Sequence, residues 1–136
     1  CVSSEATAEV LSMAKKQTDL DAGIEKMLAL NDPEAEVSTI VTLGLTRPVW
    51  EASPATMKLV AMAGSLAKNL GRPFRHESSG GGSDGNFTGA MGVPTLDGLG
   101  VAGDKFHTLE EHIEIDSLAM RGRMMAGLLM QIDANL

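Results

Sequence analysis

Ser79-Gly80-Gly81-Gly82-Ser83-Asp84-Gly85-Asn86-Phe87 is the most unusual run in the chain. Glycine lets a backbone approach a ligand closely, and a helix start beyond it presents free N–H groups to an anion. Ser83 or Asp84 is placed to cap a short helix with apolar positions at Phe87, Ala90 and Met91. No Lys-Ser or Lys-Thr follows the glycines, so the run is not a P-loop. Composition alone describes a flexible linker equally well. Asn86-Phe87-Thr88 matches a glycosylation sequon, a pattern short enough to arise by chance.

Downstream, Val93-Pro94-Thr95-Leu96 reads as a short strand, and residues 98–103 read as a flexible connection. His107 follows in a loop. With Glu110, Glu111 and His112 it invites a zinc reading, which the spacing does not support. Two histidines five apart are rotated by roughly 140° on a helix and lie on opposite faces of a strand. His112 is therefore not expected as a ligand, and no complete metal site is expected within this segment. Asp116-Ser117 opens the last helix, whose apolar face is read as Leu118, Met125, Leu128, Leu129 and Ile132.

Upstream, Ser53 is an N-cap with Pro54 at the first helical position, and Gly71 closes that helix. Its apolar positions are Met57, Val60, Ala61, Gly64, Leu66, Ala67 and Leu70. Residues 34–45 alternate Val37, Thr39, Val41 and Leu43, a strand pattern that Arg47-Pro48 ends. Thr18 caps an earlier helix that places Leu20, Ile24, Met27, Leu28 and Leu30 on one face before Asp32-Pro33. Residues 6–16 carry β-branched and apolar residues without a helical stripe and read as a strand. Strand and helix alternate throughout, so the expected fold class is α/β.

Arg47 precedes a proline at a strand end, a rigid place from which a guanidinium fork can clamp a carboxylate; a plain surface arginine is the alternative. His76 reads as a polar residue leading into the glycine run. No Ser-His-Asp or Cys-His arrangement can be assembled.

The chain has 136 residues, 43% hydrophobic and 21% charged, ordinary values for a folded domain. With one Trp, three Phe and no Tyr, the core must be filled by Leu, Val, Ala and nine Met. A net charge of −7 without a substantial basic cluster excludes nucleic acid as the expected partner. No apolar run reaches the ~20 residues that span a bilayer, so no membrane is expected either. One cysteine excludes an internal disulfide. That cysteine is Cys1, and a chain starting within a longer gene product is preferred to a lipidated terminus.

Three blocks then combine: 79–87, Gly92-Val93-Pro94-Thr95-Leu96-Asp97-Gly98-Leu99-Gly100, and His107-Thr108 with Glu111. Together they resemble the C-terminal portion of the dinuclear-zinc metallopeptidase family of glutamate carboxypeptidase, aminoacylase, acetylornithine deacetylase and succinyl-diaminopimelate desuccinylase. The resemblance extends upstream through Thr46-Arg47-Pro48 and covers essentially the whole chain.

The resemblance implies that residues 1–45 are part of an inserted β-α-β lid, which commonly dimerises, and that 46–136 are the C-terminal segment of a catalytic domain. It implies His107 as a zinc ligand, and Arg47, Gly81, Gly82 and Ser83 as holders of the substrate's carboxylate. The other zinc ligands of the two-zinc centre lie in an N-terminal portion, so this chain alone is expected to be inactive and to bind zinc weakly. The implied substrate is a small molecule with an amide bond next to a free carboxylate.

The chain departs from the family at Met13, where relatives often carry an arginine, and at Ser3, where a proline is expected. The strand edges at 6–16 and 34–45 are expected to pair with a second copy or with the N-terminal portion. His107 is expected to line a cavity near Gly82. The alternative function is a non-catalytic anion-binding or assembly module. A nucleotide-binding reading of the glycine run is set aside for want of a lysine.

Overall fold

A computed structural model describes residues 3–132; Cys1 lies outside them. The chain divides into two units, residues 1–49 and 50–136.

The first unit is built on one helix, α1 (Gln17–Leu28). It starts a residue before Thr18, with Lys16 at the cap position and no side-chain cap. The Gln17 side chain replaces that cap as the local tie: it donates to Asp21 at 2.7 Å and accepts the Val49 N–H at 2.8 Å. Leu20 is the buried residue of α1, and Ile24 is half-buried. At the other end Asn31 grips Val41 from both sides of its amide, accepting its N–H at 2.8 Å and donating to its carbonyl at 3.1 Å. An isolated antiparallel bridge between Asp32 and Thr39 sits beside this clamp.

The strands expected over 6–16 and 34–45 do not form as ladders. Both segments lack regular strand pairing among the described residues, and they leave Leu11, Val37, Ile40 and Leu45 more than three-quarters exposed. Alternation specifies which side chains share a face, but a strand also needs a neighbour for its N–H and C=O groups.

The second unit is organised by α2 (Pro54–Asn69) and α4 (Ser117–Gln131), which pack against each other. Ser53 caps α2, its Oγ accepting the Thr56 N–H at 3.1 Å. Gly71, at φ 67°, ends the helix: its N–H bonds the Lys68 carbonyl while the Arg72 N–H bonds that of Ala67 at 2.9 Å, the paired closure that a left-handed residue permits.

The buried face of α2 is Thr56, Leu59, Val60, Ala63 and Ala67, and that of α4 is Ser117, Met124 and Leu128. Both stripes differ from those read in the sequence. Met57, Leu118 and Leu129 are instead 40%, 50% and 67% exposed. The contact uses the small residues. A Cβ on Gly127 would come within 2.8 Å of Leu66 Cδ2, so the backbone of α4 lies close to α2. Each fully buried Leu contributes about 1.5–3 kcal/mol relative to exposure.

Between these helices the chain forms α3 (Gly85–Ala90) and a two-stranded antiparallel hairpin, β1 (Gly103–Asp104) with β2 (His112–Ile113). No strand forms at 93–96. The order is therefore helical with one small sheet, compatible with the α/β class but without the expected strand alternation. Among the described residues no helix is long and apolar enough to cross a membrane.

Candidate functional site

The glycine run is shaped by its own side chains. Ser79 Oγ accepts the Gly81 N–H at 3.1 Å, and Asn86 Oδ1 accepts the Ser83 N–H at 3.0 Å. The Ser83 hydroxyl accepts the Gly85 N–H at 2.9 Å, so Ser83 rather than Asp84 supplies the polar start of α3. Of the three positions expected to hold a carboxylate, Gly81 and Ser83 thus spend their N–H groups inside the loop. The Gly82 N–H makes no hydrogen bond among the described residues, and Gly82 is exposed.

The platform beneath the loop is tightly built. Trp50 covers Gly85 and Gly89 so closely that a Cβ on Gly89 would overlap the indole ring. Thr95 bonds its N–H to Thr56 Oγ1 at 3.4 Å, and its hydroxyl lies 3.0 Å from that of Thr88. Thr56 in turn is buried against the Ser53 cap. These contacts tie α3 and the 93–96 segment to the start of α2.

Asp97 continues the same network. The Ser83 hydroxyl and then the Gly98 N–H hold its carboxyl below the usual carboxylate value, because both donate to the charged form.

His107 occupies the connection between β1 and β2. Its φ is 65°, in the left-handed region, as is that of Lys105 at 58°. The turn is fixed by the His107 N–H bonding Glu111 Oε2 at 3.2 Å, by the Thr108 hydroxyl on the Lys105 carbonyl at 2.7 Å, and by the Lys105–Glu110 ion pair. The imidazole is exposed. Neither cavity described in the second unit is lined by His107 or by the glycine run.

His112 lies on β2 with Nδ1 2.9 Å from the Glu110 carbonyl. His76 lies beside Phe74, ring centroids 6.4 Å apart. Arg47 is exposed in the segment after residue 45, within the first unit.

Sequence reasoning passed over Asp97, Trp50 and the hairpin. The β2 strand has only His112 and Ile113, too few for an alternation to mark it. Among the described residues no three His, Cys, Asp or Glu side chains gather where a metal could bind. A zinc site needs about three protein ligands. The described residues therefore do not compose a zinc centre by themselves.

The model of the peptidase family M20/M25/M40 matches residues 6–131, which include the glycine run, Asp97 and His107. The chain belongs to that family. It is 35% identical over 104 residues to carboxypeptidase G2 of Pseudomonas sp. (strain RS-16), a match covering 75% of this chain and 25% of that protein. It is 33% identical over 72 residues to the uncharacterized protein YqjE of Bacillus subtilis (strain 168), covering 53% and 19%. The aligned part is thus a quarter or less of either relative. No solved structure is a significant match.

Proposed function

We propose that this chain is the carboxylate-gripping portion of a zinc-dependent carboxypeptidase or amidohydrolase that cleaves an amide bond next to a free carboxylate. The observation that carries the reading is the family match over residues 6–131, a span that includes Arg47, the glycine run and His107. In this reading Arg47 and the loop of Gly81, Gly82 and Ser83 hold the substrate's carboxylate, with the N–H groups of Gly81 and Ser83 fixing the loop's shape. The exposed Gly82 N–H is the free donor of that group. His107 contributes one zinc ligand, and the remaining ligands come from elsewhere in the polypeptide. No catalytic step is assigned to residues of this chain.

Residues 1–45 belong to the lid and 46–136 to the catalytic domain. The exposed apolar residues of 6–16 and 34–45 are covered by a second copy or by the N-terminal portion. The test is a hydrolysis screen of the full-length protein against N-acyl amino acids and their carboxamide counterparts. Cleavage of the acids with loss of at least about tenfold in kcat/KM for the carboxamides supports the reading. Equal turnover of both, or none of either by a zinc-loaded full-length protein, contradicts it.

A further inference from the structure

A second polar site lies away from the glycine run. A cavity of about 200 Å³ opens between the C-terminal end of α2, the 72–75 segment and the first turn of α4. At about 30 Å³ per water it has room for roughly seven waters. Arg72, Arg75 and Arg121 line it, and Glu114 is the one acidic side chain on its wall. Three guanidiniums against one carboxylate leave the wall at +2, in a chain whose net charge is −7.

None of the three arginines makes an ion pair or side-chain hydrogen bond among the described residues. Arg121 is the telling one. Its Nε is buried without a partner, although a buried N–H of a charged group ordinarily has one.

Ser117 does not serve that need, since its hydroxyl accepts the Ala102 N–H at 2.9 Å and donates to the Glu114 carbonyl at 2.6 Å. The first turn of α4, a helix of 15 residues, adds its positive end to the same wall through Ser117, Met120 and Arg121.

We propose that this cavity binds a small doubly charged oxyanion of the phosphate type, with the Arg121 guanidinium as its anchor and Arg72 and Arg75 as supporting charges. A planar guanidinium presents paired donors that match a tetrahedral oxyanion, and the wall's charge matches a dianion. The site shares no residue with the proposed carboxylate grip, so the two readings stand or fall separately.

The test is a titration of the chain with inorganic phosphate, followed by the Arg Nε–H resonances and by calorimetry. Potassium chloride at equal ionic strength is the control. Phosphate is expected to move the Arg121 Nε–H resonance, and chloride is not. Arg121→Met is expected to weaken phosphate binding by at least about tenfold, the factor a charged hydrogen bond supplies. Arg123→Gln, on α4 but off the cavity wall, is expected to leave binding unchanged. If Arg121→Met loses its helical signal, Arg121→Lys decides. It keeps the charge without the fork and is expected to bind several-fold more weakly than the wild type. An unmoved Arg121 resonance, an equal response to chloride, or equal affinity in the wild type and Arg121→Lys overturns the proposal.

Discussion

The Ser83 hydroxyl, which accepts the Gly85 N–H at 2.9 Å, also lies beside the Asp97 carboxyl and favours its charged form. One side chain thereby fastens the glycine run to the segment leading toward β1 and His107. The run is long in glycine, yet it is held by Ser79, Ser83 and Asn86 rather than left as a free linker.

Asp97 makes this fastening pH-dependent. Its carboxyl sits below the ordinary value of 3.8, so its contribution to stability is complete above that value and is lost as pH falls through the lowered one. Asp97→Asn is expected to lower the thermal midpoint at pH 7. The difference from the wild type should shrink as the pH drops below about 4. Thermal melts of both proteins across that range check the sign, and the effect is small because the group is exposed.

Trp50 reports on the same platform. A Cβ at position 89 would overlap its indole, so Gly89→Ala is expected to displace the ring, costing about 1–3 kcal/mol through overpacking. Because the chain has one Trp, the emission spectrum reads that displacement directly. A red shift with intact helical dichroism is the expected outcome.

The hairpin bearing His107 depends on a glycine in another way. Any Cβ on Gly103 would run into the carbonyl of His112, which is backbone and has no rotamer to escape to. Gly103→Ala is therefore expected to open the β1–β2 pairing and, on the proposed reading of His107, to lower zinc occupancy in the full-length protein without touching a ligand. Amide exchange at Gly103 and Ile113, the paired residues, measures the opening.

His107 itself carries a left-handed φ of 65°, a conformation that Asn tolerates better than Ala. His107→Asn removes the imidazole while keeping the turn. It is expected to leave the melting temperature of this chain unchanged, since the ring is exposed. On the proposed reading, in which His107 is a metal ligand, it should lower kcat/KM of the full-length protein by at least about a hundredfold. Unchanged activity there would remove His107 from the site.

How much of this was legible beforehand follows from what each signal measures. The helices were readable because their determinants are local: Ser53-Pro54 starts α2, Gly71 closes it, and Ser83 starts α3. Which stripe of α2 and α4 is buried was not readable. Both helices are apolar on more than one side, and the choice fell to the small residues Ala63, Ala67 and Gly127 that let the backbones approach. The strands at 6–16, 34–45 and 93–96 were read from alternation or composition, neither of which contains the pairing partner. The real hairpin has only two residues on each side, too short for a period to register. The glycine run and His107 were recognised through their family pattern, whereas Asp97 became apparent only once its contact with Ser83 was in view.

The central claim is that His107 is a zinc ligand of a carboxypeptidase-type centre assembled with other parts of the polypeptide. Anomalous diffraction at the zinc edge on crystals of the full-length protein tests it most directly. The account predicts a zinc peak about 2.0–2.1 Å from a ring nitrogen of His107. Fully occupied zinc sites with no metal bonded to His107 would contradict it.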